Sequence, residues 1–362
     1  MIGWEDVYKV VTAMTPLCVA LALGYASVKW WHMFTPDQFD AINRFNCFFI
    51  IPFFNFKFIS HINPYELNYP FLGADCIAKC IVLIVLVFWT NCTRKGSCMW
   101  SITAFSLCSL NNTLIVGVPL LKAMYGEVGE DLVVQSSVIQ SLVWVIFLLF
   151  MLEFRREWSK TKSVTNTING DLQLQAIECG SDLDQNSTPM SMSINKAPSI
   201  WSILKIVWLK LAKNPNFYAC IAGLIWALLA SRWQFKMPEI IEGSILIMSK
   251  AGAGVSMFSM GLFMALQERV IACGTPLTLF GMALRFVVSP ATMAIGSIVS
   301  GLHGNVLRIA LIQAALPQSI ASFVYAQEYG LHPDILSTAV IFGTIVSLPL
   351  LIAYYALLEV AR

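Results

Sequence analysis

Apolar residues run along this chain in long stretches broken by short polar punctuation. A spanning helix needs roughly 20 such residues. On that measure the runs predict helices at about 7–28, 38–60, 71–90, 98–123 and 131–153. A second set follows at about 214–232, 239–265, 275–299, 305–328 and 334–358. Between the sets, residues 154–198 are rich in Ser, Asn, Thr, Asp and Gln, a composition too polar to bury a core, and they predict a disordered loop. After it, Trp201, Leu204, Trp208 and Leu211 recur at helical spacing among Lys205, Lys210 and Lys213, the pattern of a short interfacial helix. The expected organisation is a five-helix unit over 1–153, a loop over 154–198, and the interfacial helix plus a second five-helix unit over 199–362.

Composition narrows the class. Of 362 residues, 57% are hydrophobic and only 12% charged, against about a quarter charged in soluble domains. The mean hydropathy is +0.70. The fold class is therefore an all-α polytopic membrane protein. A net charge of +2 gives no electrostatic reason to expect nucleic acid. Cys18, Cys47, Cys76, Cys80, Cys108 and Cys220 lie inside apolar runs and read as buried packing thiols. Glu5 and Asp6 interrupt the first residues, which argues against a signal peptide.

Charge placement gives an orientation. Thirteen Lys and Arg fall in the odd-numbered loops and the long loop, against seven on the opposite side. The positive-inside bias then sets the central loop in the cytosol and both termini outside or in a lumen. An odd number of spans per half forces the second half to enter the membrane upside down. Inverted repeats of that kind are a common carrier architecture, with the site where the halves meet.

Polar residues inside the apolar runs mark the candidate site. The ninth run breaks at Pro317, which removes a backbone donor and clashes with the preceding turn. Gln318 and Ser319 stand beside that break. The fourth run carries Asn111, Asn112 and Thr113 at mid-membrane, costly unless they face a partner or a cavity. Two breaks at matching places in the two halves predict interrupted, crossing helices four and nine. Their half-helix N-termini offer partial positive charge suited to a carboxylate, with Asn112 and Gln318 adding amide donors. Asp75 and Lys79, four apart on the third run, form an ionisable pair at depth. Arg285 in the eighth run reads either as a counterpart of Lys79 or as a snorkelling or packing residue, and Gln140 is a weaker polar signal in the fifth.

Catalytic and cofactor signals are negative. No H-E-x-x-H, G-x-S-x-G or P-loop occurs, and the four His lie in or near loops. The expectation is a protein that is not an enzyme and uses no cofactor and no metal. Composition alone stops at an organic-anion carrier.

Several segments resemble the plant PIN-FORMED auxin efflux carriers. They are Asp6–Tyr8, Thr15–Leu17, Ala41–Asn43, Trp100–Thr103, Val116–Pro119, Asn214–Asn216, Met257–Phe263, Ala310–Gln318 and Ser337–Gly343. The resemblance implies ten helices in two inverted five-helix repeats, a homodimer, and elevator-like movement of a transport domain against a scaffold. The substrate it implies is the auxin anion, indole-3-acetate, or a related small organic anion. Carried over residue by residue, it assigns Asn112 and Gln318 to the substrate-facing crossover, Ile51, Gln140 and Ile320 to the pocket around it, and Asp75 with Lys79 to a support site beneath. It also implies no need for a sodium or proton gradient. Where the family usually has proline, this chain has Asn111, so the first break must come from polar side chains. Val145 replaces a Tyr found in some members. The short central loop resembles members of the endoplasmic reticulum, with the loop cytosolic and the termini lumenal; the alternative location is the plasma membrane. The rival functions are a sodium- or proton-coupled organic-anion symporter and a non-transporting membrane auxin receptor.

Overall fold

The computed structural model describes residues 4–93, 96–159, 200–267, 271 and 273–360. Most of the predicted loop, 160–198, lies outside the described residues. Helix bounds fall within a few residues of the apolar runs: Trp4–Lys29, Pro36–Ser60 (with a wide turn at Asn46–Ile50) and Tyr69–Cys92 open the chain. Local chemistry sets the starts. Thr35 and Gln38 make a capping box ahead of Pro36. Asn68 accepts from the Phe71 amide at 3.0 Å, and Asn214 from the Asn216 amide at 3.0 Å ahead of Pro215. Proline at a first turn costs nothing, because its missing N–H has no helical partner there.

By length and apolarity, Tyr8–Lys29, Tyr69–Cys92, Glu127–Ser159, Glu239–Leu266 and Thr275–Val299 qualify as spans among the described residues. Pro333–Ser347 and Pro349–Leu358 make a sixth if the pair, bent by 56°, is one span. The fourth and ninth apolar runs are interrupted: Cys98–Ser109 is separated from Thr113–Tyr125, and Gly304–Ala314 from Ile320–Tyr329. Single-turn π-helical widenings occur at Asn46–Ile50, Thr113–Gly117, Gln140–Trp144 and Leu284–Val288. Three of them end two residues before Pro52, Pro119 and Pro290. A proline cannot donate to the preceding turn and crowds its carbonyl, and a locally widened helix relieves both faults.

The chain forms two compact units, Met1–Val145 with Asn214–Arg362, and Ile146–Lys213. In the first, helices of one half pack on helices of the other. Trp4–Lys29 lies along Gly252–Leu266, Ile51–Ser60 along Pro215–Trp233, and Tyr69–Cys92 along Ser289–Val299. Glycines allow these approaches: a Cβ on Gly24 would meet the Phe258 carbonyl, one on Gly261 the Leu21 carbonyl, and one on Gly296 the Ala74 carbonyl. Contacts are densest within two groups of helices. The first two and sixth and seventh apolar runs form one group, and the remaining runs gather around the interrupted helices.

Outer faces are apolar, as a lipid-facing surface requires. Ile84, Val85, Val87 and Phe88 are exposed on Tyr69–Cys92, and Trp30, Trp31, Trp233 and Phe235 are exposed at helix ends. Amphipathic aromatics favour such interface levels. Three cysteines expected to be buried, Cys18, Cys47 and Cys80, face outward, whereas Cys108 and Cys220 are buried. A small thiol is as acceptable to lipid as to a core.

The second unit corrects one expectation. Helix continues to Ser159 rather than giving way to loop at 154. Phe150, Phe154 and Trp158 stack at i, i+4 spacing, and Arg156 pairs with the fully buried Glu153 at 2.8 Å. These local contacts offset the polar composition. The interfacial helix is present over Ile200–Leu211 and buries Ile203, Val207 and Leu211. Trp201, Leu204 and Trp208 face outward. Lys210 reaches Glu153 at 3.1 Å.

Candidate substrate site at a helix crossover

The two interruptions meet. Helix Cys98–Ser109 stops at Leu110, whose backbone is extended, and helical geometry resumes at Thr113. Gly304–Ala314 stops before Pro317 and resumes at Ile320. Between them Asn111 and Gln318 form an antiparallel bridge. The Asn112 amide donates to the Pro317 carbonyl at 2.9 Å, and the Ser319 amide to the Leu110 carbonyl at 3.1 Å. Backbone groups freed by each break therefore satisfy the other, which is how irregular backbone survives at membrane depth.

Side-chain amides complete the pairing. Gln140 accepts from the Asn111 amide at 3.1 Å and donates to the Asn111 carbonyl at 2.8 Å. The Asn111 side chain donates to the Gln313 carbonyl at 2.7 Å, and the Gln313 amide donates to the Ser136 hydroxyl. Polar side chains thus make the first break without proline. Gln318 is fully buried, and its amide donates to the Ser106 carbonyl at 2.9 Å and the Ser322 hydroxyl at 2.7 Å. Its donors are spent, so the expectation that Gln318 offers an amide hydrogen to a ligand is corrected. Asn112 differs: its buried Nδ2 has no partner among the described residues. A buried amide donor left open is costly and marks a place for an acceptor.

The helix polarity is sorted by Arg285, which is neither snorkelling nor a simple counterpart of Lys79. It is fully buried and, among the described residues, donates to carbonyls. Nε reaches Leu316 at 2.6 Å, Nη1 reaches Leu107 at 3.0 Å and Cys108 at 3.4 Å, and Nη2 reaches Ala314 at 3.2 Å. Ser289, one turn on, reaches Cys108 at 2.8 Å and Ala314 at 3.1 Å. These carbonyls are the negative C-terminal ends of both interrupted helices. With those ends neutralised, the half-helix N-termini at Thr113 and Ile320 leave the crossover with positive potential. Sequence reasoning singled out Arg285 but not Ser289 or Gln313; the i, i+4 spacing of Arg285 and Ser289 is the signal that could have found the former.

Beneath the crossover, Lys79 donates to Asp75 at 2.7 Å, both side chains only 8% exposed. The Lys79 ammonium also lies 5.2 Å from the Trp144 ring centroid. Asp75, Lys79, Asn111, Ser289 and Thr292 line one small crevice. Ile51 opens the Ile51–Ser60 helix and Ile320 opens Ile320–Tyr329, both half-buried. Asn111, Asn112, Gln140, Pro317 and Gln318 are thus brought together directly, with Asp75 and Lys79 adjoining Asn111 at the crevice.

An apolar bundle with paired broken helices and a buried open amide is carrier architecture, and residues 9–355 match the family described as "Membrane transport protein". "Auxin efflux carrier component 5" of Arabidopsis thaliana is 56% identical over 359 residues, covering 99% of both chains. "Probable auxin efflux carrier component 5a" of Oryza sativa subsp. japonica is 51% identical over 368 residues, covering 100% of both. "Probable auxin efflux carrier component 1c" of the same rice is 31% identical over 590 aligned positions, covering 99% of this chain and 100% of that one.

The chain belongs to the auxin efflux carrier family.

It is a multi-pass membrane protein, and the motifs of auxin efflux carriers acquire places in the fold. Asn214-Pro215-Asn216 is a capped helix start whose Asn216 side chain accepts from Asn55. Met257–Phe263 carries Gly261, where a Cβ would run into the backbone of Trp4–Lys29. Ala310–Gln318 supplies the second break and two of the carbonyl ligands of Arg285.

Proposed function

We propose that this chain carries auxin, the indole-3-acetate anion, across a membrane as an uncoupled uniporter. The observation that carries the reading is the open Nδ2 of Asn112 at the head of two half-helices whose opposite ends are already neutralised. A carboxylate is the acceptor that fits both the amide and the positive potential. Relatives named as auxin efflux carriers along their full length support the choice of anion. The Lys79–Asp75 pair cancels its own charge, which leaves the support site without a demand for a coupling ion.

Alternating access by an elevator movement is the mechanism the helix grouping favours. The interrupted helices and their neighbours form one group, and the glycine-packed Trp4–Lys29 and Gly252–Leu266 helices belong to the other. Ten spans in two inverted five-helix repeats, a homodimer, and residence in the endoplasmic reticulum membrane with a cytosolic central loop complete the reading. End-to-end alignment with relatives of matching length supports the short-loop assignment. The pocket is assigned to Asn112, Gln318, Ile51, Gln140 and Ile320, with Gln318 and Gln140 shaping it rather than donating to the ligand.

Uptake of labelled indole-3-acetate into proteoliposomes tests this, with and without imposed sodium and proton gradients. Saturable uptake indifferent to both gradients is expected. Uptake only with a gradient overturns the uncoupled mode in favour of a symporter, and binding without uptake overturns transport in favour of a receptor.

A further inference from the structure

A guanidinium whose described polar partners are all carbonyl oxygens sits at the centre of this membrane protein. Arg285 is 0% exposed, and its hydrogen bonds run to Leu107, Cys108, Ala314 and Leu316. A buried charge without compensation is strongly unfavourable. Here the compensation comes from partial negative charge at the C-terminal ends of two interrupted helices that meet from opposite directions. In carriers built on broken helices, carbonyls of that kind coordinate the coupling cation.

We propose that Arg285 is a built-in cation for the crossover, covalently tethered where an ion-coupled carrier would bind and release one. Its planar fork reaches both helix ends at once, and Ser289 adds a hydroxyl to Cys108 and Ala314. A tethered charge is never released, so the two half-helices stay joined whether or not substrate is present. The positive potential at the opposite, N-terminal ends is likewise permanent. The charge at Asp75 and Lys79 cancels within that pair, so among the described residues at the crossover Arg285 supplies the net charge. The inference uses the uniporter reading for its consequence, gradient independence; the joining of the helix ends does not depend on what is carried.

The test uses full-length wild type, Arg285→Gln and Arg285→Lys, purified in detergent and reconstituted. Melting temperature is measured in sodium chloride, in potassium chloride and in guanidinium chloride at non-denaturing concentration, against matched choline chloride. Arg285→Gln is expected to melt below wild type and to be raised by guanidinium or sodium, while wild type is indifferent. Arg285→Lys, which keeps the charge, is expected to lie between them. Uptake by Arg285→Gln should fall by about tenfold or more, as loss of a charged, buried hydrogen-bond donor implies, and recover partly with the same cation. A glutamine variant as stable as wild type, or one destabilised but deaf to every cation, overturns the proposal. If Arg285→Gln does not fold, a folded, active Arg285→Lys supports the proposal and a misfolded one overturns it. Failure of wild type to take up indole-3-acetate, with cation rescue of the variant's stability intact, would sink the transport reading and leave this one standing.

Discussion

One side chain, Gln140, holds both backbone groups of Asn111, accepting from its amide at 3.1 Å and donating to its carbonyl at 2.8 Å. A primary amide reproduces the donor and acceptor of a neighbouring strand, so Gln140 acts as a one-residue strand pairing the outer edge of the crossover. The inner edge is paired across the Asn111–Gln318 bridge by Pro317 and Ser319, which bond Asn112 and Leu110. Replacing Gln140 by Ala leaves two buried backbone groups unsatisfied, at about 1–3 kcal/mol each. The melting temperature of Gln140→Ala should therefore fall clearly, and indole-3-acetate affinity with it. An unchanged melting temperature would show that water or another side chain takes over.

Asn112 and Gln318 should separate where a naive reading treats them alike. Asn112 Nδ2 has no described partner, so Asn112→Ala should leave stability near wild type while weakening indole-3-acetate binding by about tenfold, the loss of one hydrogen bond to a charged acceptor. Gln318 spends its amide on Ser106 and Ser322. Gln318→Ala should first lower the melting temperature. Parallel melting and binding curves on both variants check this, and equal stability losses would refute the distinction.

Much of this was legible in the chain because the bilayer is a demanding solvent. It forces long apolar runs, and it makes every polar residue inside a run conspicuous; Asn111, Asn112, Pro317, Asp75 and Lys79 stood out for that reason. What composition could not reveal was direction. Gln318 is polar in sequence whether its amide points at a ligand or at the Ser106 carbonyl, and Arg285 looks the same snorkelling or buried. Helix Ile200–Leu211 is apolar on two faces, and periodicity alone could not say that Ile203 and Val207 are the ones turned to protein. Helix past residue 153 escaped because stacking of Phe154 on Trp158 and pairing of Glu153 outweigh polar composition locally.

The Asp75–Lys79 pair gives a double-mutant test. Removing one partner leaves an uncompensated buried charge, a loss of about 3–5 kcal/mol, whereas removing both charges costs little or is neutral. Lys79→Met should thus express poorly and melt low, and adding Asp75→Asn should restore much of the loss. If the double variant is restored in stability and also in uptake, the pair is packing. If stability returns without uptake, the charges take part in the transport cycle. Additive losses would mean the two side chains do not interact as their 2.7 Å contact indicates.

Gly261 separates frame from site. Its missing Cβ lets the Gly252–Leu266 helix approach Trp4–Lys29 so closely that an added carbon would lie 3.0 Å from the Gly24 Cα and 2.8 Å from the Tyr25 nitrogen. Those neighbours are backbone and cannot turn aside as a side chain could. Gly261→Val should push the helices apart and lower stability by about 1–3 kcal/mol, the range for overpacking a tight interface. The crossover sits in the other group of helices, so the variant that does fold should bind indole-3-acetate with near wild-type affinity. On the proposed elevator movement uptake should nevertheless slow, because a moving domain needs a rigid frame to move against. Melting curves, equilibrium binding and proteoliposome uptake on the same preparation check all three, and a loss of affinity as large as the loss of uptake would show that frame and site are not mechanically separate.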